Sequence, residues 1–166
     1  LNRIGQLPDV FSAGVVTNVP FSGKSGKSAA TIQGRSPRAG ESPRGHYSYG
    51  VGGDYFKAMG FSLLEGRFLT ADDSRSNQRF CVVDQDFAHY YWPNGSALGH
   101  RLFEGSEQGR DADAFTIVGI VGSVKQAGLT EEAAQGAVYY PYAFHSGDIF
   151  VVVRTSLPPE SLGLTL

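Results

Sequence analysis

Apolar residues recur in this chain with two periods, one near 3.6 and one of 2, and the switches between them mark out short elements. Leu1, Ile4 and Leu7 have helical spacing, and Pro8 stops the run. Residues 11–19 are rich in β-branched positions and end at Pro20, which predicts a strand. Residues 21–45 are mostly Gly, Ser, Pro, Lys and Arg, with one strand candidate at 30–33. A strand is predicted over 46–51. Gly52 and Gly53 then turn the chain into a helix capped by Asp54 and carrying Tyr55, Phe56, Ala58 and Met59. Gly60 stands where a left-handed C-terminal cap belongs, and 61–64 reads as a strand running into Glu65-Gly66-Arg67. Thr70 supplies the oxygen of a capped turn before Asp72 and Asp73.

Farther on, 79–83 reads as a strand, and Asp84 caps a helix that places Phe87, Tyr90 and Tyr91 at helical spacing and ends at Pro93-Asn94-Gly95. Strands follow at 101–103, 115–121, 137–140 and 149–154, and 156–160 has the look of a helix start. About nine short strands with two or three brief helices make an α+β fold of mixed sheets. At 166 residues the chain fits one domain, divisible into two subdomains.

Composition narrows the function classes. Charged residues are 18% of the chain and glycines number 22, a balance that favours turn-rich strand structure. A net charge of -2 offers no electrostatic footprint for nucleic acid. The basic residues between Lys24 and Arg44 read as a solvated loop. The single cysteine, Cys81, has no internal disulfide partner and lies in an apolar run, the setting of a small buried hydrophobe. No run approaches the ~18 consecutive apolar residues of a membrane span. Both ends of the chain look cut, which predicts a domain excised from a longer protein.

Several motifs invite chemistry and fall short of it. Gly23-Lys24-Ser25-Gly26-Lys27-Ser28 resembles the end of a phosphate loop, yet the earlier glycine is replaced by Asn18 or Phe21 and a strand follows instead of a helix. Gly50-Val51-Gly52-Gly53 begins like a dinucleotide fingerprint, but Tyr55 takes the place of the third glycine, so a strand-to-helix turn is the better account. His46, His89, His100 and His145 lack the spacing that puts metal ligands on one face. Asp72-Asp73 and Glu131-Glu132 read as solvated or capping carboxylates. Asn94-Gly95-Ser96 matches a glycosylation sequon and equally the end of a helix. No catalytic residue, cofactor or metal is nominated.

One ordered set of segments carries a resemblance. Tyr55-Phe56, Met59-Gly60, Leu63-Leu64 and Gly66-Arg67-Phe68 are followed by Trp92-Pro93, then Leu98-Gly99-His100-Arg101-Leu102. The residues 115–125, Val138-Tyr139-Tyr140-Pro141 and Val152-Val153-Arg154-Thr155 complete the set. In this order they resemble the extracytoplasmic core domain of the MacB/FtsX-like ABC transporter permeases, over nearly the whole chain. The signature residues Tyr55, Phe56, Gly60, Gly66, Arg67, Gly99, Gly119 and Pro141 have structural parts to play. Gly60 and Gly66 are expected to hold backbone angles closed to other residues. Arg67 is placed to pair with Asp72 or Asp73, and Gly119 and Gly122 to admit a closely approaching element.

The resemblance implies a MacB-like periplasmic core, residues 1–166, with a porter-like α/β part and a β-rich inserted part roughly within 60–135. It implies a location on the periplasmic side of the inner membrane, between transmembrane helices of the same polypeptide. A separate ATP-binding subunit on the cytoplasmic side and a homodimer or pseudo-dimer are the implied partners. Such a domain is not an enzyme; it couples conformational change to export or extraction of a hydrophobic or peptide-like substrate. The alternative is a soluble ligand-binding or sensing module, with Tyr139, Tyr140, Tyr142 and Phe144 around Pro141 as an apolar recognition surface. The same aromatics equally suit a strand end packed on the core.

Overall fold

A computed structural model describes residues 1, 3–22, 26–35, 44–76, 78–126, 128, 136–145 and 147–158. Residues 23–25 of the phosphate-loop look-alike, the pair Glu131-Glu132 and Pro159-Glu160 lie outside the described residues. The fold is α+β, with nine strands and two α-helices among the described residues. The strands are β1 (Val10–Val16), β2 (Lys27–Ile32), β3 (Gly45–Gly53), β4 (Leu63–Gly66) and β5 (Phe80–Asp84). Then come β6 (Arg101–Glu104), β7 (Phe115–Val121), β8 (Ala137–Pro141) and β9 (Phe150–Thr155). The helices α1 (Tyr55–Met59) and α2 (Gln85–Tyr91) follow β3 and β5, and 3-10 turns stand at Ile4–Gln6, Asp111–Asp113 and Tyr142–Phe144.

All nine strands belong to one hydrogen-bonded network in the order β2-β6-β7-β5-β8-β3-β1-β9, with β4 added on β7 and β2 pairing back to β3. That last pairing closes β3, β8, β5, β7, β6 and β2 into a circuit. Strand β3 is its hub. Its first residues pair β2, its middle lies parallel to β8 from Tyr47↔Ala137 to Val51↔Pro141, and its end pairs β1.

The central strands are buried on both faces, which explains why they read as continuous apolar runs. In β5, Cys81 and Val83 face one core with Phe87 and Ala88 of α2, while Val82 faces the other with Tyr55 and Phe56 of α1. In β8, Val138 and Tyr140 face the first core and Ala137 and Tyr139 the second. Strand β7 reaches both by a bulge: the β5 register steps from Cys81↔Ile117 to Val82↔Gly119, leaving Val118 unpaired with β5. Ile117 and Ile120, three apart, therefore share one face, and Val118 and Val121 the other. Burying each such side chain contributes about 1.5–3 kcal/mol.

Four local expectations are corrected. Gly52 lies within β3, where it pairs Val15, and the reversal into α1 falls to Gly53 alone, at φ 62°. Asp54 precedes α1 but does not cap it; its carboxylate accepts from Lys57 Nζ at 2.7 Å instead. At 70–73 the capping is reversed, for Thr70 N donates to Asp73 Oδ2 at 2.7 Å and Thr70 Oγ1 donates to the same oxygen. Gly122 lies past the end of β7, and a side chain there would make only ordinary contact with Ser62. Asp84 does cap α2, accepting from Phe87 N at 2.9 Å.

Candidate functional site

Six of the eight signature residues fall in two adjoining places: Tyr55, Phe56 and Gly60 in and just after α1, which packs on β1 and β9, and Gly66 and Arg67 at the end of β4, against Gly119 of β7. Tyr55 and Phe56 are buried in α1, their rings 5.6 Å apart, and both pack on Tyr139 of β8. Helix α1 stops after five residues because Gly60 takes φ 75°, and the amide of Phe61 returns to Phe56 O at 2.8 Å. That reversal sends the chain into β4.

At Gly66 and Gly119 two backbones come too close for side chains. A Cβ at Gly66 would overlap the Val118 carbonyl, and one at Gly119 would overlap the Arg67 carbonyl. The close approach is fixed by Arg67 N donating to Val118 O at 2.9 Å. It delivers the Arg67 guanidinium to Asp73, with NH1 to Oδ2 at 2.7 Å and NH2 to Oδ1 at 2.9 Å. NH1 also donates to Phe68 O at 3.0 Å, and the guanidinium carbon lies 5.2 Å from the Phe80 ring centre. Asp72 is left at the surface with Arg75.

Burial pushes the Asp73 carboxyl up, but the Arg67 bond, the Thr70 amide and the Thr70 hydroxyl together hold it below its ordinary value. The Arg67 guanidinium thereby commits three of its N–H donors to Asp73 and Phe68 and keeps an exposed edge toward solvent. Between α1 and this loop runs an open groove of about 490 Å³, whose lining includes Phe56, Phe68, Leu69, Lys57 and Arg67. Phe56 and Phe68 stack in it nearly parallel at 5.1 Å.

The two remaining signature residues lie apart from these two places. Gly99 donates its amide to Ile117 O at 2.9 Å, on the other side of β7. Pro141 ends β8 beside Val51, past the last pairing with β5, where its missing N–H breaks no ladder. Tyr139 and Tyr140 are wholly buried and belong to the core, while Tyr142 and Phe144 of the same run are part-exposed. The four histidines are not brought together: His46 meets Tyr91 Oη at 2.9 Å, His100 stacks on Trp92 at 4.7 Å, and His145 packs on Gly50. Among the described residues no group of three or more His, Cys, Asp or Glu could hold a metal. Burial pushes the Cys81 thiol up, away from the reactive thiolate.

Two polar residues are anchored in the core, one of which, Gln126, the sequence pattern did not single out. Gln126, 4% exposed, accepts from Tyr49 Oη at 2.8 Å and donates to Tyr139 Oη at 3.3 Å. Its backbone carbonyl accepts from Phe21 N at 2.9 Å, holding that residue at φ 64°. A lone glutamine after a strand carries no periodic signal. For Asp84 the cap was legible, and its burial at 2% exposure was not.

A two-faced mixed sheet with one short helix on each face, and a corner locked by backbone contact and an ion pair, defines a scaffold domain. The chain belongs to the MacB-like periplasmic core domain family, whose model matches residues 5–162. Membership places it among the extracytoplasmic domains of MacB-like ABC transporter permeases. It is 26% identical over 95 residues, 57% of its length, to the macrolide export ATP-binding/permease protein MacB of Aggregatibacter actinomycetemcomitans. The match spans 14% of that protein.

The fold is shared with solved structures. The periplasmic region of MacB from Actinobacillus actinomycetemcomitans superposes with a TM-score of 0.65 at 18% identity, over 99% of this chain and 67% of that one. The extracellular domain of the noncanonic ABC-type transporter YknZ from Gram-positive bacteria gives 0.62 at 15% identity, over 99% of this chain and 74% of that one. A domain of a permease-like protein from Porphyromonas gingivalis gives 0.59 at 19% identity, over 97% and 69%. Among the described residues no helix is long and apolar enough to cross a membrane.

Proposed function

We propose that this domain transmits conformational change in an ABC transporter permease that exports or extracts a hydrophobic or peptide-like substrate. In this reading it stands on the periplasmic side of the inner membrane between transmembrane helices of its own polypeptide. A separate ATP-binding subunit works from the cytoplasmic side, and the full transporter is a homodimer or pseudo-dimer. Its porter-like part carries α1, β1, β3 and β9, and its β-rich part falls roughly within 60–135.

The family match over residues 5–162 carries the proposal. The structure supports it with one strand network running from β2 to β9, the kind of body that passes a displacement from one end to the other. The eight signature residues contribute rigidity and not catalysis.

The test replaces residues 5–158 of the parent transporter by a flexible Gly/Ser linker and measures export and ATP hydrolysis in proteoliposomes. The expected result is loss of export, with ATP hydrolysis retained but no longer stimulated by substrate. Export at the parental rate would overturn the proposal. A second reading, a ligand-binding or sensing module, draws on the groove beside Phe56 and Phe68. Thermal stabilisation of the isolated chain by an apolar peptide, lost in Phe68→Ala, would favour it.

A further inference from the structure

Asp84 is buried at 2% exposure, and no salt bridge reaches it among the described residues. A carboxylate taken from water without a cation must be held by hydrogen-bond donors or gain a proton. Its donors come from three other elements. Phe87 N donates to Oδ1 at 2.9 Å from the first turn of α2, and the carboxylate also draws on the Ala137 amide, at the first residue of β8, and on the Ser123 hydroxyl, just past the end of β7. Ser123 Oγ in turn accepts from Asp86 N at 3.0 Å.

The titratable groups whose charge reaches Asp84 are Asp86 on α2, which disfavours its ionised form, and Tyr139 on β8. Burial is the largest influence and pushes the carboxyl up to about 6, against the pull of Phe87, Ala137 and Ser123.

We propose that Asp84 is a proton-responsive pin that sets how α2 is seated on the strands β5, β7 and β8. In its charged form it accepts from all three elements. On taking a proton from water, the carboxyl O–H donates to Ser123 Oγ, which still accepts from Asp86 N. Ser123 is exposed, so its own hydroxyl hydrogen turns to solvent. The bond between Asp84 and Ser123 thus reverses direction, while Phe87 N keeps only a neutral carbonyl oxygen as acceptor, a weaker bond that holds the first turn of α2 less tightly.

The sign follows from linkage. The folded carboxyl binds its proton more tightly than the unfolded one, whose value is 3.8. The stabilisation is therefore full below the unfolded value and is lost as pH rises through about 6. This device stands on the buried cluster alone and is independent of any transport role.

The experiment follows the backbone amide resonances of Phe87, Asp86 and Ala137 in the full 166-residue chain, with thermal unfolding alongside, from about pH 5 to about pH 7.5. The expected result is a common midpoint near 6 in the three amides and a melting temperature that falls as pH rises through it. Asp84→Asn keeps a capping oxygen and should abolish both transitions. Ser123→Ala, at the surface, removes a donor to the charged form and should move the midpoint upward. Amides that do not titrate in the wild type would overturn the proposal. So would an Asp84→Asn profile parallel to it, or a Ser123→Ala midpoint that stays put.

Discussion

Arg67 and Asp73 are joined by two hydrogen bonds, 2.7 and 2.9 Å long, that close the loop 67–73 over the end of β4. The guanidinium is 44% exposed and the carboxylate 6%. The pair is thus a half-buried clasp, worth more than a surface pair because the carboxylate also receives the Thr70 amide.

Removing the acceptor is costlier than neutralising it. Asp73→Ala leaves Thr70 N without its partner and the guanidinium half satisfied, at about 1–3 kcal/mol. At ~2–4 °C per kcal/mol for a chain of this size, the melting temperature should drop by several degrees, as differential scanning calorimetry would read. Asp73→Asn, which can still accept from Thr70 N, should lose less.

The same clasp sets an acid limit. The folded Asp73 carboxyl sits below its ordinary value, so its contribution is present above the unfolded value and is lost as pH falls through the folded one. The gap in stability between wild type and Asp73→Asn should therefore narrow at about pH 3 and be widest near neutrality. Denaturant unfolding at both values checks this, and a gap that grows on acidification would contradict it.

Much of this corner was legible before the fold was known, because its parts are encoded locally. Gly60 after an aromatic helical turn, and Gly66-Arg67 before two aspartates, are short-range signals. The choice of Asp73 over Asp72 was not legible, since it depends on which carboxylate the Val118–Arg67 backbone contact leaves facing the guanidinium. The capping error at Asp54 has a similar source: the side chain found Lys57, one turn on, before it found a backbone amide. Strand existence was readable throughout. The pairing of β2 with β6, from Ala30↔Glu104 to Ile32↔Leu102, was not, because local periodicity says nothing about which edges distant in sequence meet.

Gln126 offers a prediction that no sequence pattern suggested. Gln126→Leu keeps the volume and removes one hydrogen bond from each of Tyr49 and Tyr139. The expected cost is about 1–3 kcal/mol in all. Double-mutant cycles with Tyr49→Phe should recover part of it, since removing both polar groups is gentler than removing one.

Cys81 should behave as a core residue and not as a thiol. It is fully buried among Val83, Ile117 and Val138, and burial holds its proton on. A thiol reagent should label it only as fast as the chain opens, so labelling should track denaturant concentration in step with the unfolding midpoint.

Gly119→Ala tests the architecture of the corner most directly. The new methyl would meet the Arg67 carbonyl, a backbone atom that cannot swing away as a side chain would. Either β7 or the β4 chain must shift, weakening the bond from Arg67 N to Val118 O and, with it, the aim of the guanidinium at Asp73. Overpacking of this kind costs about 1–3 kcal/mol. The loss should be strongly non-additive with Asp73→Ala, because the first change already spoils the geometry that the second removes. Urea unfolding of the two single variants and the double variant measures the coupling. Simple additivity would mean that backbone approach and ion pair are independent, and that Arg67 finds Asp73 without help from Gly119.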